Sequence, residues 1–166
     1  ILNPVTQIFL EEGAVFTLDT AQIGGVDSTV RKTEVSMEAD AKLFVMEKLM
    51  THDNQTAVSD MTVEMNGAGS SAQIVSRSVA KGHSVQTFHP IAIGNALCHA
   101  HVQCDSIIMD KAQISSIPEI NARDIDAQII HEAAIGRINN EQILKLRTFG
   151  MTEEEAEAVI IEDFLA

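Results

Sequence analysis

Two cysteines and six histidines carry most of the chemistry open to this 166-residue sequence. His99 and His101 sit one residue apart in an alternating stretch, so on a strand both imidazoles face the same way and could share a metal ion. The alternative is a pair of solvated histidines on an outward face, since no third ligand is evident. Cys104, followed by Asp105, has the opposite parity and points to the other face. Cys98 shares the parity of Cys104; a cysteine in a β core often serves only as a small buried hydrophobe. His131-Glu132 follows further on, at a change of texture, where a polar pair suits either a site or a structural cap.

Composition removes several classes of function. Lys and Arg total 11 against 24 for Asp and Glu, a formal charge of −13, so polyanions such as nucleic acid and anionic membrane would be repelled. With two cysteines, a closed four-thiolate metal site within one chain is excluded. Trp and Tyr are absent, which argues against stacking platforms for bases or sugars. No apolar run approaches the ~18–20 residues that span a bilayer. There is no G-x-x-x-x-G-K-[ST] phosphate loop and no G-x-S-x-G elbow, and Gly67-Ala68-Gly69 lacks the context of a dinucleotide fingerprint. His131-Glu132 starts like a metalloprotease helix, but Ile135 stands where the second histidine belongs. The start Ile1-Leu2-Asn3-Pro4 has no initiator Met and no signal-peptide layout, so the expectation is a piece of a longer protein working in a reducing cytoplasm.

The elements that must hold these residues are mostly strands. From about Val15 to Ile130 apolar and polar residues alternate, as in Ala14, Phe16, Leu18 and in Met61, Val63, Met65. Turn formers interrupt the pattern at intervals of roughly 10–15 residues, a spacing of sandwiches, barrels or solenoids. They include Gly24-Gly25, Asp40, Asp53-Asn54, Asn66-Gly67, Gly82, Gly94, Asp110 and Pro118. After His131 the texture becomes helical. Asn139 is the expected N-cap of a first helix, with Gln142 reaching back and Gly150 stopping it. Thr152 and Glu155 form the capping box of a second helix, whose apolar stripe is Ala156, Val159, Ile160 and Phe164. That stripe is expected to dock on the β region or on a partner.

Several consecutive motifs point further. Ser76-Arg77-Ser78-Val79-Ala80-Lys81-Gly82-His83-Ser84, Gln103-Cys104-Asp105-Ser106-Ile107-Ile108, Ser115-Ser116-Ile117-Pro118-Glu119 and His131-Glu132-Ala133-Ala134-Ile135-Gly136-Arg137-Ile138 occur in that order. Glu141-Gln142-Ile143 and Gly150-Met151-Thr152-Glu153-Glu154-Glu155-Ala156 follow. Over Ser76 to Leu165 the chain resembles the SufB/SufD family, scaffold subunits of the Suf machinery for iron–sulfur cluster assembly. Residues 1–75 share only the β texture.

The resemblance implies a mainly β fold, a flattened right-handed parallel β-helix with a short C-terminal two-helix segment. The expected division is a β-helix core over residues 1–134 and a helical segment over 135–166. It implies a non-catalytic scaffold that assembles an iron–sulfur cluster transiently and binds no nucleotide itself. A SufC-like ABC-type ATPase would bind the helical segment, and a second SufB/SufD-like chain would pair with this one as a homodimer or heterodimer. Carried over residue by residue, the cluster or iron ligands would be Cys104, Glu132 and His131. Further family cysteines have no counterpart before Cys98, so sulfur entry by that route is not expected here. The rivals are a structural β-solenoid interaction domain with an inert Cys104, and a β-helix carbohydrate-active enzyme, which the missing sugar-stacking aromatics disfavour.

Overall fold

Alternating apolar residues bounded by glycines and aspartates fold into extended strands that stack in parallel. The computed structural model describes residues 1–166. Its strands are β1 (Val5–Leu10), β2 (Val15–Gln22), β3 (Ser28–Met37), β4 (Lys42–Thr51), β5 (Thr56–Met65), β6 (Ser70–Ala80), β7 (Val85–Gly94), β8 (Cys98–Ile108), β9 (Gln113–Ser116), β10 (Glu119–Ala122) and β11 (Ala127–Gly136). Two helices follow, α1 (Asn140–Thr148) and α2 (Glu153–Leu165).

From β1 to β8, odd and even strands go to different sheets. One sheet runs β1-β3-β5-β7-β10, with β9 also on β7; the other runs β11-β8-β6-β4-β2. Every pairing is parallel, and each turn of chain advances the register by 27 to 29 residues. The chain is therefore a β-solenoid, with two sheets facing each other across a shared interior. Parallel sheets need a long return path between neighbouring strands, and here the opposite sheet supplies it.

Inward residues fill the space between the sheets. Val35, Met37, Leu43, Val45, Met61, Val63, Met65, Ile74, Val102 and both cysteines belong to one buried cluster. Outward residues are polar or partly exposed, as in β5, where Thr56, Val58, Asp60, Thr62 and Glu64 alternate with buried neighbours. The corners stack as well. Gly13 N donates to Ala39 O, Asp40 N to Ala68 O and Gly69 N to Leu97 O, at 2.8–3.0 Å. Gly67 is required there, because a Cβ would lie 1.9 Å from Ala39 N. Asp40, Asp53 and Asp110 take positive φ at turns, a conformation that Asp tolerates through its short polar side chain.

The helices form as expected, with two local differences. Asn139 caps α1, but its side chain accepts from Glu141 N at 2.9 Å, and Gln142 makes no reach-back bond. The cap already satisfies the second helical amide, leaving a simple N-cap in place of a box. The Thr152–Glu155 box of α2 is complete. The stripe of α2 is rotated from the expected one. Val159 is exposed, whereas Ala156 and Ile161 are buried. Ile160 faces α1 beside Leu146 and Phe149, while Ile161, Phe164 and Leu165 pack on Val79, Ile107 and Met109. Two neighbours must be served, so the helix buries a broader arc than one stripe. Arg77 of β6 donates to the carbonyls of Phe164 and Ala166, placing a cation at the negative end of α2, which has no basic residue in its own last turn. No helix is long and apolar enough to cross a membrane.

Candidate functional site

Parallel register turns the interior into rows that run along the solenoid axis. One inner row reads Leu18, Val45, Ile74, Val102, His131. The next reads Thr20, Glu47, Ser76, Cys104, Ala133, and a third Gln22, Leu49, Ser78, Ser106, Ile135. The first row is aliphatic until its last member, an imidazole. The second is polar almost throughout and contains the thiol.

β11 is the last strand of its sheet, so its inner side chains have only β8 beneath them. Ala133 and Ile135 are accordingly exposed, and the interior opens to solvent at this end. Cys104 lies one strand below that mouth and is itself 1% exposed. Its thiol is pushed up from its ordinary range, first by burial, with the charges of Asp105 and Glu47 adding to the effect; the hydroxyls of Ser106 and Ser116 work the other way. Sγ is 3.8 Å from Ser106 Oγ, which in turn shares a 2.8 Å hydrogen bond with Ser78 Oγ. The thiol is thus held in its protonated form.

His131 enters the same mouth from β11. Its register partner is Val102, two residues from Cys104, so the two residues are diagonal neighbours on the same face of adjacent parallel strands. Nε2 of His131 is shielded from water and has no hydrogen-bond partner. Burial, aided by the nearby charge of His101, lowers its basicity, which keeps the imidazole neutral and able to act as a ligand. Ser116 Oγ, reaching in from β9 of the facing sheet, is likewise buried and unpartnered.

Glu132 does not join them. Its register partner is Gln103, so it projects from the outer face, where Oε2 lies 3.2 Å from Nε2 of His101. The expected trio is therefore split, with Cys104 and His131 inside and Glu132 outside, because neighbours on a strand face opposite ways. No group of three or more His, Cys, Asp or Glu side chains is arranged to hold a metal ion within the chain. His99 and His101 do share the outer face, as their spacing implies, but His101 pairs with Glu132 and no third ligand joins them. Cys98 is fully buried in the core cluster, its thiol pushed up chiefly by burial.

The sequence reading missed two interior residues. Glu47 is 3% exposed, accepts from Ser59 Oγ at 2.9 Å and has Arg31 at 3.9 Å. Burial raises its pKa, against the opposing pull of the Ser59 bond and the Arg31 charge. A cavity of about 10 Å³ beside it, touching Ser76, Ser78 and Gln86, has room for about one water. The parity of Glu47 with Leu43, Val45 and Leu49 was the available signal for its inward direction. Ser116 offered a weaker signal, since it sits in a strand of only four residues. Elsewhere, a hollow of about 340 Å³ lies at the far end between Gln7, Phe9, Glu34 and Glu64, away from either thiol.

Known proteins place this architecture in a family. A family model described as SUF system FeS cluster assembly, SufBD core domain, matches residues 3–164. The iron–sulfur cluster assembly SufBD family protein of Methanocaldococcus jannaschii is 28% identical over 99% of this chain and 53% of its own length. A protein of the same description from Archaeoglobus fulgidus is 28% identical over 99% of this chain and 45% of its own. One from Pyrococcus horikoshii is 31% identical over 81% of this chain and 44% of its own. The chain thus spans about half the length of these relatives. With a solenoid of this register and a family match over nearly its whole length, the chain belongs to the SufBD core domain family of iron–sulfur cluster assembly proteins.

Proposed function

We propose that this chain is a scaffold on which an iron–sulfur cluster is built and from which it is released, with Cys104 as its thiolate anchor. The observation that carries this reading is the solenoid mouth, where a buried thiol and an imidazole with an unpartnered Nε2 converge from adjacent strands. Thiolate is a soft ligand for iron, and imidazole a more labile one. An incomplete ligand set suits cargo that must leave. Glu132, on the outer face, is assigned to the part of the site completed when a second chain is present.

In this reading the scaffold catalyses no reaction itself and binds no nucleotide; an ABC-type ATPase of the SufC kind supplies the energy from a separate subunit in the cytoplasm. The helical segment is the proposed docking place, supported by the exposed Leu144, Phe149 and Val159. A second SufB/SufD-like chain, identical or paralogous, is proposed to pair along β11. That strand has one unpaired edge and exposes Ile130 and Ile135, features that invite strand addition.

The test is anaerobic reconstitution with ferrous iron and sulfide, followed by absorption. Wild type is expected to gain sulfur-to-iron charge-transfer bands that Cys104→Ser lacks, with His131→Ala retaining less cluster. Equal reconstitution by Cys104→Ser would sink the proposal. The burial of Cys104 also supports a second reading, an interaction domain whose cysteine is inert. Protection of Cys104 from a thiol reagent in both monomer and dimer, with no effect of added ferrous iron, would favour that reading.

A further inference from the structure

Glu47 reaches across the solenoid interior. It leaves β4 of one sheet, and the groups that hold it, Ser59 of β5 and Arg31 of β3, belong to the other. An ionised carboxylate accepts about four hydrogen bonds. The protein supplies one at bonding distance, from Ser59 Oγ at 2.9 Å. Arg31 Nη1 stands 3.9 Å from Oε2, too far for a direct hydrogen bond. Polar groups at such a separation are commonly bridged by water.

Space for water is present on both sides of the carboxyl group. One cavity of about 10 Å³ lies among Gln22, Thr29, Arg31, Glu47 and Ser59. A second of the same size lies among Glu47, Ser59, Ser76, Ser78 and Gln86. Each has room for about one water and enough polar partners to hold it. In the second, Gln86 gives both N–H hydrogens elsewhere, to Thr51 Oγ1 and Val79 O, which leaves its carbonyl oxygen as an acceptor. The first lies next to solvent, because the Arg31 side chain is 20% exposed.

We propose that Glu47 is a proton-exchanging centre hydrated by buried water in both cavities, and that its proton passes to and from solvent through the Arg31 cavity while the sheets stay closed. At each transfer one O–H bond breaks and another forms, between the carboxyl group and the water beside Arg31 and then between that water and solvent. No electron changes hands. Arg31 and, two strands along the interior row, Cys104 are the ionisable groups on the elements packed against Glu47; its other partners are neutral hydroxyls and amides. The consequence is an interior whose charge follows the solvent. Ionised, Glu47 places a negative charge in the row it shares with Ser76 and Cys104; protonated, it removes that charge. The centre stands apart from the mouth and does not depend on what Cys104 anchors.

Infrared spectroscopy of the metal-free full chain reads this proton. The difference between wild type and Glu47→Gln is expected to contain a carboxylic-acid carbonyl band that grows as pH falls. On dilution into heavy water the band should shift at once, while the protected strand amides are still exchanging. Ala57→Val adds bulk to the wall of the Arg31 cavity and should slow the shift to the rate of those amides. Ser76→Val, at the other cavity, should leave it fast. A wild-type band that shifts only together with the amides overturns the inference, as does the absence of any band that Glu47→Gln removes. A fast shift in folded Ala57→Val overturns the Arg31 route. None of these readings involves iron or sulfide, so they stand or fall separately from the scaffold reading.

Discussion

Cys104 and Glu132 occupy neighbouring strands one register step apart, yet they face opposite sides of the sheet. The thiol is buried between the sheets and the carboxylate pairs with His101 outside. One chain therefore cannot close both groups on a single metal ion without breaking the β8–β11 ladder. In the monomeric chain, Glu132→Ala is expected to leave a cobalt–thiolate band intact, whereas Cys104→Ser removes it. Loss of the band in both variants would mean that the strand rearranges on loading.

Both thiols are buried and are held above their ordinary range mainly by burial. Labelling of the native, metal-free protein with a chromogenic disulfide should thus be slow for Cys98 and Cys104 alike, and rapid for both in denaturant. Thiol release followed over time, compared with Cys98→Ala and Cys104→Ser, checks this. A fast native phase that Cys104→Ser abolishes would show that the mouth opens more widely than its packing implies.

Glu47 makes stability depend on pH. Its pKa is raised from 4.5, so the folded state holds the proton more tightly than the unfolded chain does. Its contribution is fully present below about 4.5 and is lost as pH rises through the higher folded-state value. Glu47→Gln, which can still accept from Ser59, is expected to flatten this fall in urea melts taken between pH 4 and 7. An unchanged slope would exclude Glu47 as its source.

The free edge of β11 predicts self-association governed by a few apolar side chains. Ile130→Asp together with Ile135→Asp places charge on both faces of the edge strand, and like charges opposed across a pairing strand are unfavourable. Sedimentation velocity over a concentration series should show a smaller dimer fraction for the double variant, with an unchanged circular dichroism spectrum.

The stacking of turns is unforgiving where backbone meets backbone. Gly67→Ala drives a methyl into Ala39 N and the carbonyl carbon of Glu38, and should cost about 1–3 kcal/mol or more. Met37→Ala, at a fully buried side chain, should cost about 2–5 kcal/mol. Chemical denaturation read by circular dichroism measures both.

Local features were legible from the residues alone. Alternation assigned the inward set Ala100, Val102, Cys104 and the outward set His99, His101, since side-chain parity on a strand needs no knowledge of its partners. Turn formers marked the corners, and Thr152 with Glu155 marked the start of α2, because a capping box is complete within four residues. Family motifs pointed to the solenoid that the parallel pairing bears out. Register between distant strands is another matter. That Cys104 shares a row with Glu47 and Ser76, that Ser116 crosses from the facing sheet and that Glu132 turns away depend on which residues meet after a turn of 27 to 29 residues. Packing of inner side chains and corners sets that number, and no local signal carries it. The sequence determined what the thiol is and which way it points; only the stacking of turns decided what surrounds it.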